Sequence, residues 1–129
     1  MTCQQYNSNT FITHFEKTGG LETPEYHDVI NYFKELSSTY PELSVFEMGE
    51  TDAGYPLHLV VYDSDGKTQL NTLKNSTKNK VLINNGIHPG ESDGIDASML
   101  LLRDIVQNDS LKKSYQNTLI AVIPIYNIG

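Results

Sequence analysis

The sequence predicts an α/β fold built on a mixed β-sheet with flanking helices, and three observations predict it. Two segments repeat apolar residues at helical spacing. Four others are short apolar or alternating runs bounded by turn residues. The last of these lie in the order strand, loop, helix, strand, which is the βαβ arrangement of a parallel pair.

Residues 1–22 are polar, lack a period and include Gly19-Gly20, so they read as a mobile leader or an edge segment. Thr23-Pro24 then reads as an N-cap followed by Pro at the first helical position, where a missing N–H costs nothing. Tyr26, Val29, Ile30, Phe33 and Leu36 follow at helical spacing, and Pro41 closes the segment. From Leu43 the period becomes that of a strand. Leu43-Ser-Val-Phe-Glu-Met and Leu57-His-Leu-Val-Val-Tyr, separated by Asp52-Ala53-Gly54, read as an antiparallel hairpin. The stretch from Lys67 to Lys80 mixes Lys with Asn, Thr and Ser and reads as a solvated loop.

Val81-Leu-Ile-Asn is an apolar run of the kind found in a sheet covered on both faces. Ser92 or Asp93 can cap a helix reaching about Val106, with Ile95, Met99, Leu102, Ile105 and Val106 toward a core. Leu119-Ile-Ala-Val-Ile-Pro-Ile-Tyr is the last strand, and its free edge is expected to lack a cover. No repeat or linker divides the chain.

The chain has 129 residues, 16 acidic against 9 basic, for a net charge of -7. Such a length buries roughly 68% of its unfolded surface, enough for one core. The acidic balance argues against nucleic acid as a partner, because counterion release needs a basic stripe. A single cysteine, Cys3, excludes an intrachain disulfide. No apolar run approaches the ~20 residues needed to span a bilayer. Met1-Thr-Cys-Gln-Gln-Tyr has neither the basic start nor the apolar stretch of a secretory signal, and the compartment stays open.

Chemistry concentrates in Asn84-Asn85-Gly86-Ile87-His88-Pro89-Gly90-Glu91-Ser92-Asp93-Gly94, at the carboxyl end of a predicted strand, where open α/β sheets bind ligands. Pro89 disfavours helical dihedrals at His88, which is held extended while Glu91 enters the helix start. There the exposed N–H groups favour an ionised carboxylate. His and Glu belong to the donor set of catalytic zinc, which takes three protein ligands and keeps a position for water. The same His-x-x-Glu spacing also fits a surface loop with a helix-capping Glu, and the end-of-strand placement adds weight to the metal reading.

Asn85-Gly86-Ile87-His88-Pro89-Gly90-Glu91 resembles the first metal motif of the zinc metallocarboxypeptidases, the carboxypeptidase A-like peptidases. Tyr40-Pro41-Glu-Leu, Met48-Gly49-Glu-Thr-Asp-Ala-Gly54-Tyr-Pro56-Leu57 and Ile123-Pro124-Ile-Tyr-Asn127 fall in the order of that family's opening third. The resemblance implies the N-terminal part of a carboxypeptidase-like (phosphorylase/hydrolase-like) three-layer fold over residues 23–129, truncated, behind a polar leader over 1–22. It implies His88 and Glu91 as two zinc ligands, a metal-bound water as nucleophile and a peptide or protein C-terminus as substrate. It also implies that the third ligand, the substrate-gripping arginines and the general base lie beyond Gly129, so that no catalytic residue falls within this chain. A fragment of this kind is expected to be inactive alone, and the resemblance allows a secreted protein. A metal-dependent deacylase or amidase of acylated amino acids, or a non-catalytic binding module of the same fold, are the alternatives.

Other candidates have simpler readings. His58 alternates with Leu57 and Leu59 and is expected on the solvent side of its strand. His27, His14 and Cys3 have no partner at ligand spacing. Arg103, the one arginine, is expected in a solvated or ion-paired role on its helix, and Asp93 and Asp96 can hydrogen-bond the loop from the helix start. Tyr126 reads as a core or edge aromatic.

Overall fold

A computed structural model describes residues 10–66 and 69–128. In chain order the elements are α1 (His14–Lys17), α2 (Tyr26–Thr39), β1 (Leu43–Glu50), β2 (Pro56–Tyr62), α3 (Leu70–Lys74), β3 (Asn79–Asn84), α4 (Asp93–Gln107), α5 (Asp109–Ser114) and β4 (Thr118–Ile123). The four strands form one sheet in the order β1-β2-β4-β3. β1 and β2 form the expected antiparallel hairpin, β2 and β4 are antiparallel, and β3 and β4 are parallel across α4 and α5. The sheet is therefore mixed, as the sequence predicts.

The main core lies between one sheet face and the pair α2 and α4. Val29, Phe33 and Leu36 of α2 meet Met99, Leu102, Ile105 and Val106 of α4 over Val60, Tyr62, Ile120 and Val122 of the sheet. Burying each of these large side chains contributes about 1.5–3 kcal/mol relative to exposure. The opposite face has a thinner cover, in which Leu73 of α3 packs on Val61 and Leu119. That short helix lies inside the stretch expected to be a solvated loop, and its one buried residue explains why no period announces it. In the same stretch Lys78 Nζ lies 2.6 Å from the fully buried Asp63 Oδ1 and 3.0 Å from Asp65 Oδ2. The Tyr62 hydroxyl, also fully buried, stands close enough to the Glu42 and Asp63 carboxylates that burial and then those charges push its pKa up to about 12.

Three sequence expectations change. The sheet's edges are β1 and β3 and not β4, because β4 pairs on both sides, and the faces of β3 lack the cover expected of it, with Val81 and Leu82 46% and 62% exposed. Thr23 does not cap α2: the helix begins at Tyr26 after Glu25, and the Thr23 hydroxyl donates to Asp96 Oδ2 of α4 at 2.8 Å. His58 is buried (3% exposed), because it shares the core face with Val60 and Tyr62, whereas Leu57 and Leu59 lie on the thinly covered face.

Residues 10–22 are packed against the body. Thr13 and Glu16 form a capping box around α1. Phe11 adopts a left-handed φ of 64°, and its carbonyl accepts hydrogen bonds from the Tyr32 hydroxyl at 2.9 Å and Arg103 Nη1 at 3.3 Å. Arg103 Nη1 also lies 2.6 Å from Glu16 Oε2, which gives the arginine the ion-paired role expected of it. Cys3 and Lys67 lie outside the described residues.

Candidate metal centre

The loop between β3 and α4 is set by backbone hydrogen bonds to the end of β4. The Asn85 N–H donates to the Ile123 carbonyl at 3.1 Å, and the Tyr126 and Asn127 N–H groups donate to the Asn85 and Gly86 carbonyls, each at 2.9 Å. Gly86 turns the chain out of the sheet with φ 60°, and Gly90 turns it back with φ 86°. Between the two glycines the loop presents His88.

His88 Nδ1 lies 3.1 Å from Glu91 Oε1, and the His88 N–H donates to Glu91 Oε2 at 3.3 Å. Both side chains are open to solvent, 75% and 61% exposed. The contact with the His88 ring, and then its backbone N–H, hold the Glu91 carboxyl below the usual carboxylate range. A carboxylate kept ionised beside an imidazole nitrogen is chemically suited to a divalent metal, whose ligands must be deprotonated. The donor types thus fit zinc. Two donors do not complete a catalytic site, and among the described residues no group of three His, Cys, Asp or Glu side chains gathers for a metal.

One local expectation is corrected. α4 starts at Asp93, so Glu91 lies just before the N-cap Ser92, and its carboxylate is held by His88 and not by the helix N-terminus. Ser92 itself makes no side-chain cap. Asp96 does not reach the pair: its Oδ2 is taken by Thr23, and burial, with Asp93 adding to it, raises its carboxyl above the ordinary value.

Beside the pair is a cleft of about 230 Å³, bounded by His88 and Glu91 on one side and Thr23, Pro24 and Tyr26 on another. Sequence reasoning missed this wall, because residues 23–26 read as a helix cap. Tyr26 leads from the cleft to an aromatic group. Its hydroxyl donates to the Pro56 carbonyl at 2.6 Å and lies 3.3 Å from His58 Nδ1, and its ring stands 5.2 Å from that of Tyr55. His58 Nε2 is 3.8 Å from Glu47 Oε1, and His27 packs edge-on against Tyr26 and Tyr55, so neither histidine approaches His88 as a ligand partner. Tyr126, expected as a core or edge aromatic, is 49% exposed just past β4.

Fold and loop together define an open α/β protein with an exposed loop at the carboxyl end of a parallel strand, the place where such sheets bind ligands. The chain belongs to the zinc carboxypeptidase family, whose profile matches residues 29–128. Its fold is similar to that of carboxypeptidase A from Helicoverpa armigera, with a TM-score of 0.68 at 18% identity over 81% of this chain and 24% of that one. Bovine thrombin-activatable fibrinolysis inhibitor gives a TM-score of 0.60 at 14% identity, over 83% of this chain and 32% of that one. A metallo-carboxypeptidase from Burkholderia cenocepacia gives 0.57 at 24%, over 74% and 25%. The chain thus spans about a quarter to a third of the length of these proteins. A comparison with curated proteins finds no match.

Proposed function

We propose that this chain is the N-terminal part of a zinc metallocarboxypeptidase that removes C-terminal residues from peptides, with His88 and Glu91 as two of the metal's three protein ligands. The observation that carries this reading is the 3.1 Å approach of His88 Nδ1 to Glu91 Oε1 in an exposed loop at the end of a parallel strand, in a member of the zinc carboxypeptidase family. A zinc ion at such a site supplies a Lewis acid and a water of lowered pKa. The chain's own part is to keep the carboxylate ionised, to hold the imidazole beside it, and to wall one side of the site with Thr23, Pro24 and Tyr26. The third ligand, the general base and the groups that grip the substrate's carboxylate belong to the rest of the relatives' length. The chain alone then binds zinc weakly and hydrolyses nothing.

Equilibrium dialysis against zinc tests the ligand assignment. In the complete protein His88→Ala and Glu91→Ala each weaken zinc binding by more than the roughly hundredfold that loss of an outer-shell partner costs. Unchanged zinc content in both variants would refute the assignment. Zinc-dependent trimming of a model peptide by these 129 residues alone would refute the statement that the chemistry needs residues from elsewhere.

A further inference from the structure

We infer that Asn85 is a positioning residue for the His88 and Glu91 pair, seated by Ser98 and admitted by the missing side chain of Gly94. The inference rests on reading that pair as a metal site. Asn85 is only 7% exposed, and its Nδ2 donates to Ser98 Oγ at 2.8 Å, inside the first turns of α4, where Ser98 is 3% exposed. Its N–H and its carbonyl are both committed to the end of β4, through Ile123 and Tyr126. Asn85 is therefore fixed to a strand by its backbone and to a helix by its side chain, three residues before His88.

Gly94 closes the arrangement from the other end of the loop. Its φ is not positive, so no backbone requirement explains a glycine in the first turn of a helix, where glycine is unfavourable. Space explains it: a Cβ there would stand 2.5 Å from Asn85 Oδ1 and 3.2 Å from Asn85 Cγ. The segment 86–93 thus leaves and rejoins the body at two points in contact with each other, and both metal-type donors lie within it. A loop closed at its base has fewer ways to separate His88 from Glu91, and partners of this kind orient metal ligands that they do not themselves replace.

Amide hydrogen exchange and zinc competition against a chelator test this together. Asn85→Leu keeps the size and removes the amide; Ser98→Ala is the milder variant should the first not fold. Exchange at Tyr126 and Asn127 is expected to accelerate about tenfold or more beyond any change in β1 and β2, and zinc affinity of the complete protein to fall about tenfold or more. Gly94→Ala should do the same, because its Cβ would displace the Asn85 amide from its seat. A merely structural role would raise exchange evenly across the sheet. Local exchange and zinc affinity both unchanged in Asn85→Leu and Ser98→Ala would overturn the inference. So would faster local exchange with unchanged zinc affinity while His88→Ala abolishes zinc binding. If His88→Ala leaves zinc binding intact, the metal reading falls, and the inference that Asn85 positions a metal pair falls with it; the exchange result then reports on the loop anchor alone.

Discussion

At the scale of single residues, His58 shows how little alternation says about which face is inside. Leu57 and Leu59 look like the buried set, yet α2 and α4 cover the face of His58, Val60 and Tyr62. Burial, and then the nearby Lys34, lower the pKa of His58, while Glu47 and a hydrogen bond with the Pro56 backbone oppose them; the Tyr26 hydroxyl lies 3.3 Å from its Nδ1. The native state therefore prefers the neutral ring. Its contribution is fully present above the ordinary value near 6.5 and is lost as pH falls from there through the lowered native value, because the unfolded chain takes the proton first. Denaturant melts at about pH 7.5 and about pH 5.5 should show the wild type losing more stability on acidification than His58→Leu. Equal losses would mean that the ring takes up its proton alike in the folded and the unfolded chain. The neutral ring also explains why His58 reads poorly from sequence: a histidine is polar on paper and packs as an aromatic when uncharged.

At the scale of elements, the segment 10–22 is held by a few polar contacts and by the single ring of Phe11 against Tyr32 and Tyr40, not by an apolar stripe, which is why no period reveals it. Burial opposes the charge of Arg103, but hydrogen bonds with Glu16 and Asp104 outweigh that and keep the guanidinium protonated. Arg103→Ala should release the segment, so that tryptic cleavage after the exposed Lys17 speeds up severalfold while the main unfolding transition falls by only about 1.5–3 kcal/mol. Cleavage at the wild-type rate would show that Tyr32 and the capping box hold the segment without the arginine. The long elements were legible for the opposite reason. The stripe Val29, Ile30, Phe33 and Leu36 and the stripe Ile95, Met99, Leu102, Ile105 and Val106 are all buried, because one face of each long helix meets the sheet. The short helices α1, α3 and α5 were not legible, since one or two turns bury too little to leave a pattern. For the site, Pro and Gly around His88 and its place after an apolar run marked the loop. The start of α4 at Ser92 and Asp93 agrees with the sequence, but capping residues there do not say whether Glu91 faces the helix or turns back to His88. Asn85 and Gly94 lie at the two ends of that loop, and no sequence pattern marks their pairing, which is a contact across its base.

At the scale of the whole molecule, the sheet is well covered on one face and thinly on the other, and its β3 edge carries Val81 and Leu82 in the open. Among the described residues that edge pairs only with β4. An exposed apolar edge strand invites pairing with another chain. Leu82→Lys should therefore reduce concentration-dependent association of the 129-residue chain in light scattering without changing its circular dichroism. Association that persists unchanged would place the sticky surface elsewhere. The parallel pairing of β3 with β4 sits beside this edge, so the candidate metal loop and the open edge share a strand. The other end of the sheet offers a different handle. The chain has no tryptophan and eight tyrosines, and Tyr62 is sealed at the foot of β2 between carboxylates. A phenol held neutral in the native state favours that state below its ordinary value near 10, and the advantage disappears as pH rises through 10 toward about 12. In alkaline jumps the last, slow rise in tyrosinate absorbance should coincide with loss of helical circular dichroism; burial also raises the Tyr32 phenol, so the slow step is shared, and Tyr62→Phe should remove only the part that belongs to Tyr62. That buried ring is a built-in optical clock: its colour change records when the floor of the sheet opens to water.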